Sequence, residues 1–139
     1  MKNDTLHIES RTERLIVVRD FVSEAAREAG FSDEDISKIA LAVDEACTNV
    51  IKHAYKFDPG KTLTISVQRG DSTFVVSIRD TGNGFNPTAL QPPDMKEYLT
   101  HFRRGGLGVL LMKTLMDKVE YSFEPGQPNE VRLIKFLPH

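Results

Sequence analysis

Three residues with different chemistry follow one another at intervals of four: Glu45, Asn49 and His53. On an α-helix, side chains four residues apart lie on one face, so a carboxylate, an amide and an imidazole would project together. We interpret this row as one wall of a functional site. The alternative is an ordinary solvated helix face, because short polar patterns of this kind arise easily by chance.

An apolar stripe on the same segment indicates the helix that would position this row. Its members recur at helical spacing, nearly opposite the polar row: Ile36, Ile39, Ala40, Val43, Cys47, Val50 and Ala54. The pattern predicts a helix that begins at the capping box Ser32-Asp33-Glu34-Asp35, with the acidic residues at its positive end, and runs to about Tyr55. The only cysteine of the chain, Cys47, falls in the stripe, which favours a core residue over a nucleophile.

A second candidate segment is Arg79-Asp80-Thr81-Gly82-Asn83-Gly84-Phe85, directly after an alternating apolar run. Gly82 and Gly84 would let the backbone approach a flat ligand closely. Asp80 would offer an acceptor to an exocyclic amine. The alternative is a plain Asp-x-Gly turn.

A third candidate segment is Arg103-Arg104-Gly105-Gly106-Leu107-Gly108, which opens an apolar run that continues to Met116. Exposed amides and the dipole at a helix N-terminus favour anions, and arginines strengthen such a site for phosphate. The alternative is a glycine-rich hinge. The long, proline-containing segment 86–104 lies between the second and third candidates, and loops of this length are often lids or binding loops.

The remaining periodicity predicts one more helix and a sheet. Apolar residues from Leu15 to Ala29 recur at helical spacing, and Gly30 is suited to end that helix. Alternating residues indicate strands around Leu6 and Ile8, at 63–67 and 74–78, and at 119–123 and 131–137. We therefore expect an α+β fold, a two-layer sandwich with helices on one face of a mostly antiparallel mixed sheet.

Composition limits the classes of function. With 139 residues, the chain has the length of a single domain, 1–139. The net charge of -2 and the lack of a long Lys/Arg run argue against a direct nucleic-acid partner. No apolar run is long enough to span a bilayer, so no membrane role is expected. One cysteine excludes an internal disulfide, and a reducing, cytoplasmic setting fits best.

The ordered combination of these motifs resembles the GHKL superfamily of ATP-binding proteins, with its Bergerat-type fold. The resemblance covers Leu6 to Phe136, and the phrase Ala-Val-Asp-Glu-Ala-Cys-Thr-Asn-Val-Ile-Lys-His-Ala-Tyr is most similar to the bacterial anti-sigma-factor serine/threonine kinases. This likeness implies ATP and Mg²⁺ as cofactors, and segment 86–104 as an ATP lid that is protected when nucleotide binds.

The resemblance also implies roles for residues of the helix row and of the first glycine segment. Glu45 would be the general base, and Asn49 would be both a cofactor contact and the Mg²⁺ ligand. Asp80 would accept a hydrogen bond from the adenine amino group, beside Gly82 and Gly84. His53 matches a further cofactor-site position of the family.

In the second glycine segment, the resemblance places Gly106, Leu107 and Gly108 at the phosphates, with Arg104 and Gly105 beside them in the cofactor site. One departure from the family pattern stands at the start of the last strand. A Gly-Thr pair is usual there, and the threonine helps to hold the base. This chain has Pro128-Asn129-Glu130-Val131 instead, so Asn129 would have to serve through its amide.

The function implied by the resemblance is a Mg-ATP-dependent protein serine/threonine kinase of an anti-sigma type. It would bind a sigma factor or similar regulator and phosphorylate a small antagonist protein in a partner-switching system, with a homodimer suggested only by analogy. One alternative is an adaptor that binds nucleotide without phosphotransfer, against which the presence of Glu45 argues. Another is the catalytic domain of a histidine kinase, which the lack of a preceding dimerisation helix with a phospho-accepting histidine disfavours.

Overall fold

The computed structural model describes residues 2–80, 112–122 and 127–138. Its regular elements are strand β1 (Lys2–Glu9), helices α1 (Leu15–Glu28) and α2 (Asp33–Asn49), and strands β2 (Thr62–Arg69), β3 (Thr73–Asp80), β4 (Lys118–Ser122) and β5 (Asn129–Phe136). A 3₁₀ turn, Thr12–Arg14, precedes α1, and a π-helix, Val50–Ala54, follows α2. Every strand predicted from the alternation is present.

Helix α1 ends where its glycine predicts. Gly30 has a φ of 93°, in the left-handed region that a residue without Cβ adopts readily. The Phe31 N–H donates to the Ala26 carbonyl and the Gly30 N–H donates to the Arg27 carbonyl, at 3.2 and 3.0 Å. This pair of bonds is the Schellman motif, and it satisfies carbonyls that the last helical turn leaves unpaired.

Helix α2 begins at the predicted cap. The Ser32 side chain accepts a hydrogen bond from the Asp35 N–H at 3.2 Å, which satisfies one of the unpaired donors of the first turn. Asp33, Glu34 and Asp35 all lie in that turn, where the helix dipole favours negative charge.

The end of the helical segment differs from a regular α-helix. The Tyr55 N–H donates to the Val50 carbonyl, five residues back, at 2.9 Å. The chain is therefore helical to Ala54 as expected, but its last turn is a wider π turn that begins directly after Asn49. The predicted turn at Asp58-Pro59-Gly60 follows, closed by the Gly60 N–H on the Asp58 carboxylate at 2.9 Å.

The five described strands form one sheet in the order β1-β2-β3-β5-β4. Each of the four described strand pairs is antiparallel. Since β5 lies between β3 and β4, the last strand of the chain pairs directly with the strand that ends at Asp80. In this register, Asp80 stands between Leu63 of β2 and Asn129 of β5.

The core lies between the helices and one face of the sheet. Alternate residues of β2, β3 and β5 point into it, and α2 packs against both β3 and β5. Phe31, at the α1–α2 connection, packs edge-to-face against Phe74 with ring centroids 5.3 Å apart. The two-layer α+β fold predicted from the sequence is confirmed.

Two of the expected elements lie partly or wholly outside the residues that the structure describes. Residues 112–115 are helical, in agreement with the helix expected from Leu107 to Met116, and residues 107–111 lie outside the described part. The predicted lid, 86–104, lies outside it entirely. Among the described residues, no helix has the length and apolarity that crossing a membrane requires.

Candidate functional site

The predicted polar row lies on α2 and the π turn that follows it. Glu45 and His53 are half-buried, and Asn49 is only 4% exposed. Glu45 and Asn49 are one regular helical turn apart, so their side chains share a face as predicted. His53 belongs to the π turn, and its angle to Asn49 therefore differs from the α-helical value that the four-residue spacing assumes.

The Asn49 amide is the most unusual group of this row. It is the last residue of α2, and its Nδ2 is buried with no hydrogen-bond partner among the described residues. A buried amide without a partner is costly, so such groups are rare unless a ligand, ion or water pairs with them. The π turn starts at the next residue, and turns of this kind are frequent at functional sites.

Asp80 and Asn129 form a buried polar pair at the end of the sheet. Asp80 is the last residue of β3 and Asn129 is the first of β5, and they are 3% and 1% exposed. The Asn129 Nδ2 donates to the Asp80 Oδ1 at 3.0 Å. A carboxylate can accept about four hydrogen bonds, and the Asn129 amide supplies one of them.

The alternation of β3 and β5 turns this pair toward the helices. Phe74, Val76 and Ile78 are core residues, and Asp80 continues their series; Asn129 likewise precedes Val131 and Leu133. The neighbouring register pair, Arg79 and Glu130, faces the other side of the sheet. Asp80 and Asn129 therefore lie on the helix side.

A hydrogen bond connects the end of the helical segment to the same end of the sheet. The Tyr55 hydroxyl donates to the Thr62 carbonyl at 2.8 Å. Thr62 begins β2, and the next residue, Leu63, is the register partner of Asp80. The C-terminal part of the helical segment is therefore fixed at the end of the sheet that bears the buried pair, which makes this end the candidate site.

Cys47 lies in the core, as predicted. It is fully buried, and desolvation, with a smaller contribution from the charge of Asp44, raises the pKa of its thiol far above the ordinary value. A thiol held protonated is a poor nucleophile, so Cys47 is a packing residue.

Seven predicted cofactor-site residues lie outside the described part of the chain, and their roles stay predictions: Gly82, Gly84, Arg104, Gly105, Gly106, Leu107 and Gly108. Sequence reasoning did not find the π turn or the direct bond between Asp80 and Asn129. The alternation of both strands was a usable signal for the second, because it turns both side chains to the core face.

The fold and this site define a class of protein. The family model described as the histidine kinase-like ATPase domain matches residues 8–135, and the chain belongs to that family. This family is the one that the ordered motifs resemble, so the recognition made from the sequence is confirmed.

Curated relatives narrow the similarity within the family. The chain is 37% identical over 123 residues to a serine-protein kinase RsbW of Halalkalibacterium halodurans, which covers 86% of this chain and 75% of the relative. It is 34% identical over 134 residues to the serine-protein kinase RsbW of Bacillus licheniformis, and this match covers 92% of this chain and 81% of the relative.

A solved structure shares the fold. The crystal structure of the RsbU and RsbW domains of a Mycobacterium tuberculosis protein matches with a TM-score of 0.66 and 17% identity. The match covers 98% of this chain and 32% of that longer chain.

Proposed function

We propose that this chain is a Mg-ATP-dependent protein serine/threonine kinase that phosphorylates a small antagonist protein and acts as an anti-sigma-type regulator. The single observation that carries the proposal is the placement of Glu45 one helical turn before the buried Asn49, on a helix that packs against β3, the strand that ends at Asp80. Membership of the ATPase family and the names of the curated relatives support the same reading.

Glu45 is the residue to which we assign proton transfer. It is half-buried on α2, close enough to solvent for an incoming hydroxyl to reach it and on the same face as Asn49. As a general base, it would orient a serine or threonine hydroxyl of the substrate and accept its proton during attack on the terminal phosphate.

Asn49 is the residue to which we assign the metal. Its Nδ2 is buried with no partner among the described residues, which fits an amide whose nitrogen donates to a bound phosphate oxygen and whose oxygen faces the ion. An amide oxygen is a ligand that Mg²⁺ accepts, alongside water and phosphate oxygens. When bound, the ion would neutralise phosphate charge, and Asn49 would fix its position relative to Glu45.

Asp80 is the residue to which we assign recognition of the base. Its carboxylate is buried at the end of β3, and a carboxylate has two oxygens that can each accept more than one hydrogen bond. An adenine amino group supplies a donor there, whereas the carbonyl of guanine at the same place supplies a second acceptor.

The partners that we propose are those implied by the resemblance: a sigma factor or similar regulator that is bound, and a small antagonist protein that is phosphorylated. The alternative adaptor would bind nucleotide and transfer nothing. The presence of Glu45 favours the kinase over the adaptor, because a protein that only binds nucleotide needs no general base.

The test compares Glu45→Gln and Asn49→Ala with the control Glu34→Gln, which changes an exposed glutamate in the first turn of the same helix. Transfer of radiolabel from ATP to candidate antagonists is measured beside calorimetric ATP binding. Loss of a general base costs on the order of 10²–10⁴-fold in rate, so Glu45→Gln should bind ATP and transfer slowly. Asn49→Ala should lose Mg-dependent binding together with transfer.

The control should match the unmodified protein in both assays. Transfer by Glu45→Gln at the unmodified rate, to an antagonist that the unmodified protein phosphorylates, would contradict the assigned mechanism. ATP binding without transfer to any antagonist would favour the adaptor.

A further inference from the structure

The bond between Asn129 and Asp80 fixes the orientation of an amide in the base site. An ionised carboxylate only accepts hydrogen bonds, so the amide must present its nitrogen to it. The observed contact joins the Asn129 Nδ2 to the Asp80 Oδ1 at 3.0 Å. The amide oxygen is therefore directed away from that contact and cannot exchange places with the nitrogen without losing it.

That oxygen has no hydrogen-bond partner among the described residues, and it is buried. Asn129 as a whole is 1% exposed, so bulk water does not compensate. Buried carbonyl oxygens without a donor are uncommon and destabilising, and each one calls for a specific explanation. A ligand N–H group would supply the missing donor. Asn129 contacts Asp80 directly, and Asp80 is the residue to which we assign recognition of the base.

We propose that Asn129 is a specificity-determining residue of the base site, whose fixed amide oxygen accepts a hydrogen bond from the exocyclic amine of a 6-aminopurine. This inference rests on the proposed function and deepens it. A primary amine has two N–H donors, and the site then offers an acceptor for each: the Asp80 carboxylate and the Asn129 oxygen.

The second acceptor adds to the discrimination by Asp80, because it also disfavours a 6-oxopurine that shifts to reach the carboxylate through a ring N–H. A 6-oxopurine has an N–H at ring position 1, which could still donate to the Asp80 carboxylate. Its 6-carbonyl oxygen would then face the Asn129 oxygen, and two acceptors facing each other in a buried site repel. The threonine usual in the resembled family has a hydroxyl that rotates to donate or accept, so it would not impose this exclusion.

The test measures the affinities of three triphosphates in the presence of Mg²⁺: ATP, ITP with a 6-carbonyl, and the purine riboside nucleotide with only hydrogen at C6. The purine nucleotide lacks the amine without adding an acceptor. The unmodified protein should bind ATP most tightly, the purine nucleotide less tightly, and ITP least. Equal affinities for the purine nucleotide and ITP would overturn the inference without any variant.

The variant Asn129→Thr should still bind ATP. The dissociation constant for ITP divided by that for ATP should be smaller than in the unmodified protein by about tenfold or more, because one buried polar contact changes affinity by about that factor. The control Glu130→Gln, one residue along β5 on the opposite face of the sheet, should leave the ratio unchanged. A folded Asn129→Thr protein that retains the original ratio would overturn the inference.

The two levels of the proposal fail differently. If the unmodified protein binds none of the three nucleotides, the proposed function fails and the inference falls with it. If it binds ATP and discriminates against ITP to the same degree with threonine at position 129, the proposed function stands and only the role of Asn129 is wrong.

Discussion

Two neighbouring residue pairs connect the same two strands and have opposite characters. Arg79 and Glu130 form an ion pair on the outer face of the sheet, where the arginine side chain is 40% exposed. One residue further along, Asp80 and Asn129 form a buried pair on the helix side, and the Asn129 oxygen has no partner among the described residues. The charges of the outer pair meet each other, whereas the inner pair includes a buried amide oxygen that no described residue uses.

We propose that this difference distinguishes a structural contact from a binding site. A partly exposed ion pair of this kind contributes modestly to stability, because water can solvate its members when they are apart. A buried acceptor with no donor among the described residues is costly unless something else supplies one, which is why we propose a ligand contact there. The predictions below alter one pair and use the other as the control.

The largest effect is expected for nucleotide binding by Asp80→Asn. The substitution keeps the shape and removes the charge, and a hydrogen bond to a charged group contributes about 1.5–3 kcal/mol, or roughly 10- to 150-fold in affinity. Arg79→Gln, the adjacent residue of β3, should change ATP affinity by less than about twofold. Titration calorimetry measures both, and a loss in Arg79→Gln as large as that in Asp80→Asn would mean that the two faces do not differ.

A smaller effect is expected on the free energy of unfolding. Asn129→Leu leaves the buried Asp80 carboxylate without the amide N–H, which should destabilise the protein by about 1–3 kcal/mol. Glu130→Gln removes the charge that pairs with Arg79 and with Arg132 and should cost less than about 1 kcal/mol. Urea unfolding of both variants without nucleotide is the measurement, and equal losses would refute the distinction.

These pairs also show how far the sequence predicts this molecule. The elements follow from local signals, as Gly30 and Ser32 illustrate: each ends or starts a helix through bonds to residues a few positions away. The contact between Asp80 and Asn129 joins residues 49 positions apart, and it depends on which strand lies beside β3. Motif order identified Asp80, but only the sheet order shows what pairs with it.

The polar row Glu45, Asn49 and His53 shows a second limit of prediction from the sequence. Glu45 and Asn49 share a face because α2 is regular up to Asn49, as their spacing predicts. The π turn that carries His53 depends on a one-residue shift in backbone hydrogen bonding, and the apolar periodicity hardly changes across a single turn. The composition of Val50–Ala54 therefore carries no evident signal for it.

The smallest expected effect concerns salt. The Debye length falls from about 10 Å at 0.1 M to about 3 Å at 1 M salt, so the contribution of the partly exposed Arg79–Glu130 pair should shrink. The stability difference between Glu130→Gln and the unmodified protein should therefore decrease in 1 M NaCl, while that of Asn129→Leu should persist. Urea unfolding at the two salt concentrations checks this, and a salt-sensitive Asn129→Leu difference would contradict the burial argument.

The most direct test of the central claim, that the buried pair and the α2 row form two ends of one nucleotide site, is a crystal structure with Mg²⁺ and a non-hydrolysable ATP analogue. We expect the adenine amine at hydrogen-bond distance, about 2.9 Å, from the Asp80 carboxylate. The ion should lie about 2.1 Å from the Asn49 amide oxygen, with Glu45 beside the terminal phosphate. A nucleotide bound elsewhere, with Asp80 and Asn129 in contact only with the protein, would contradict the account.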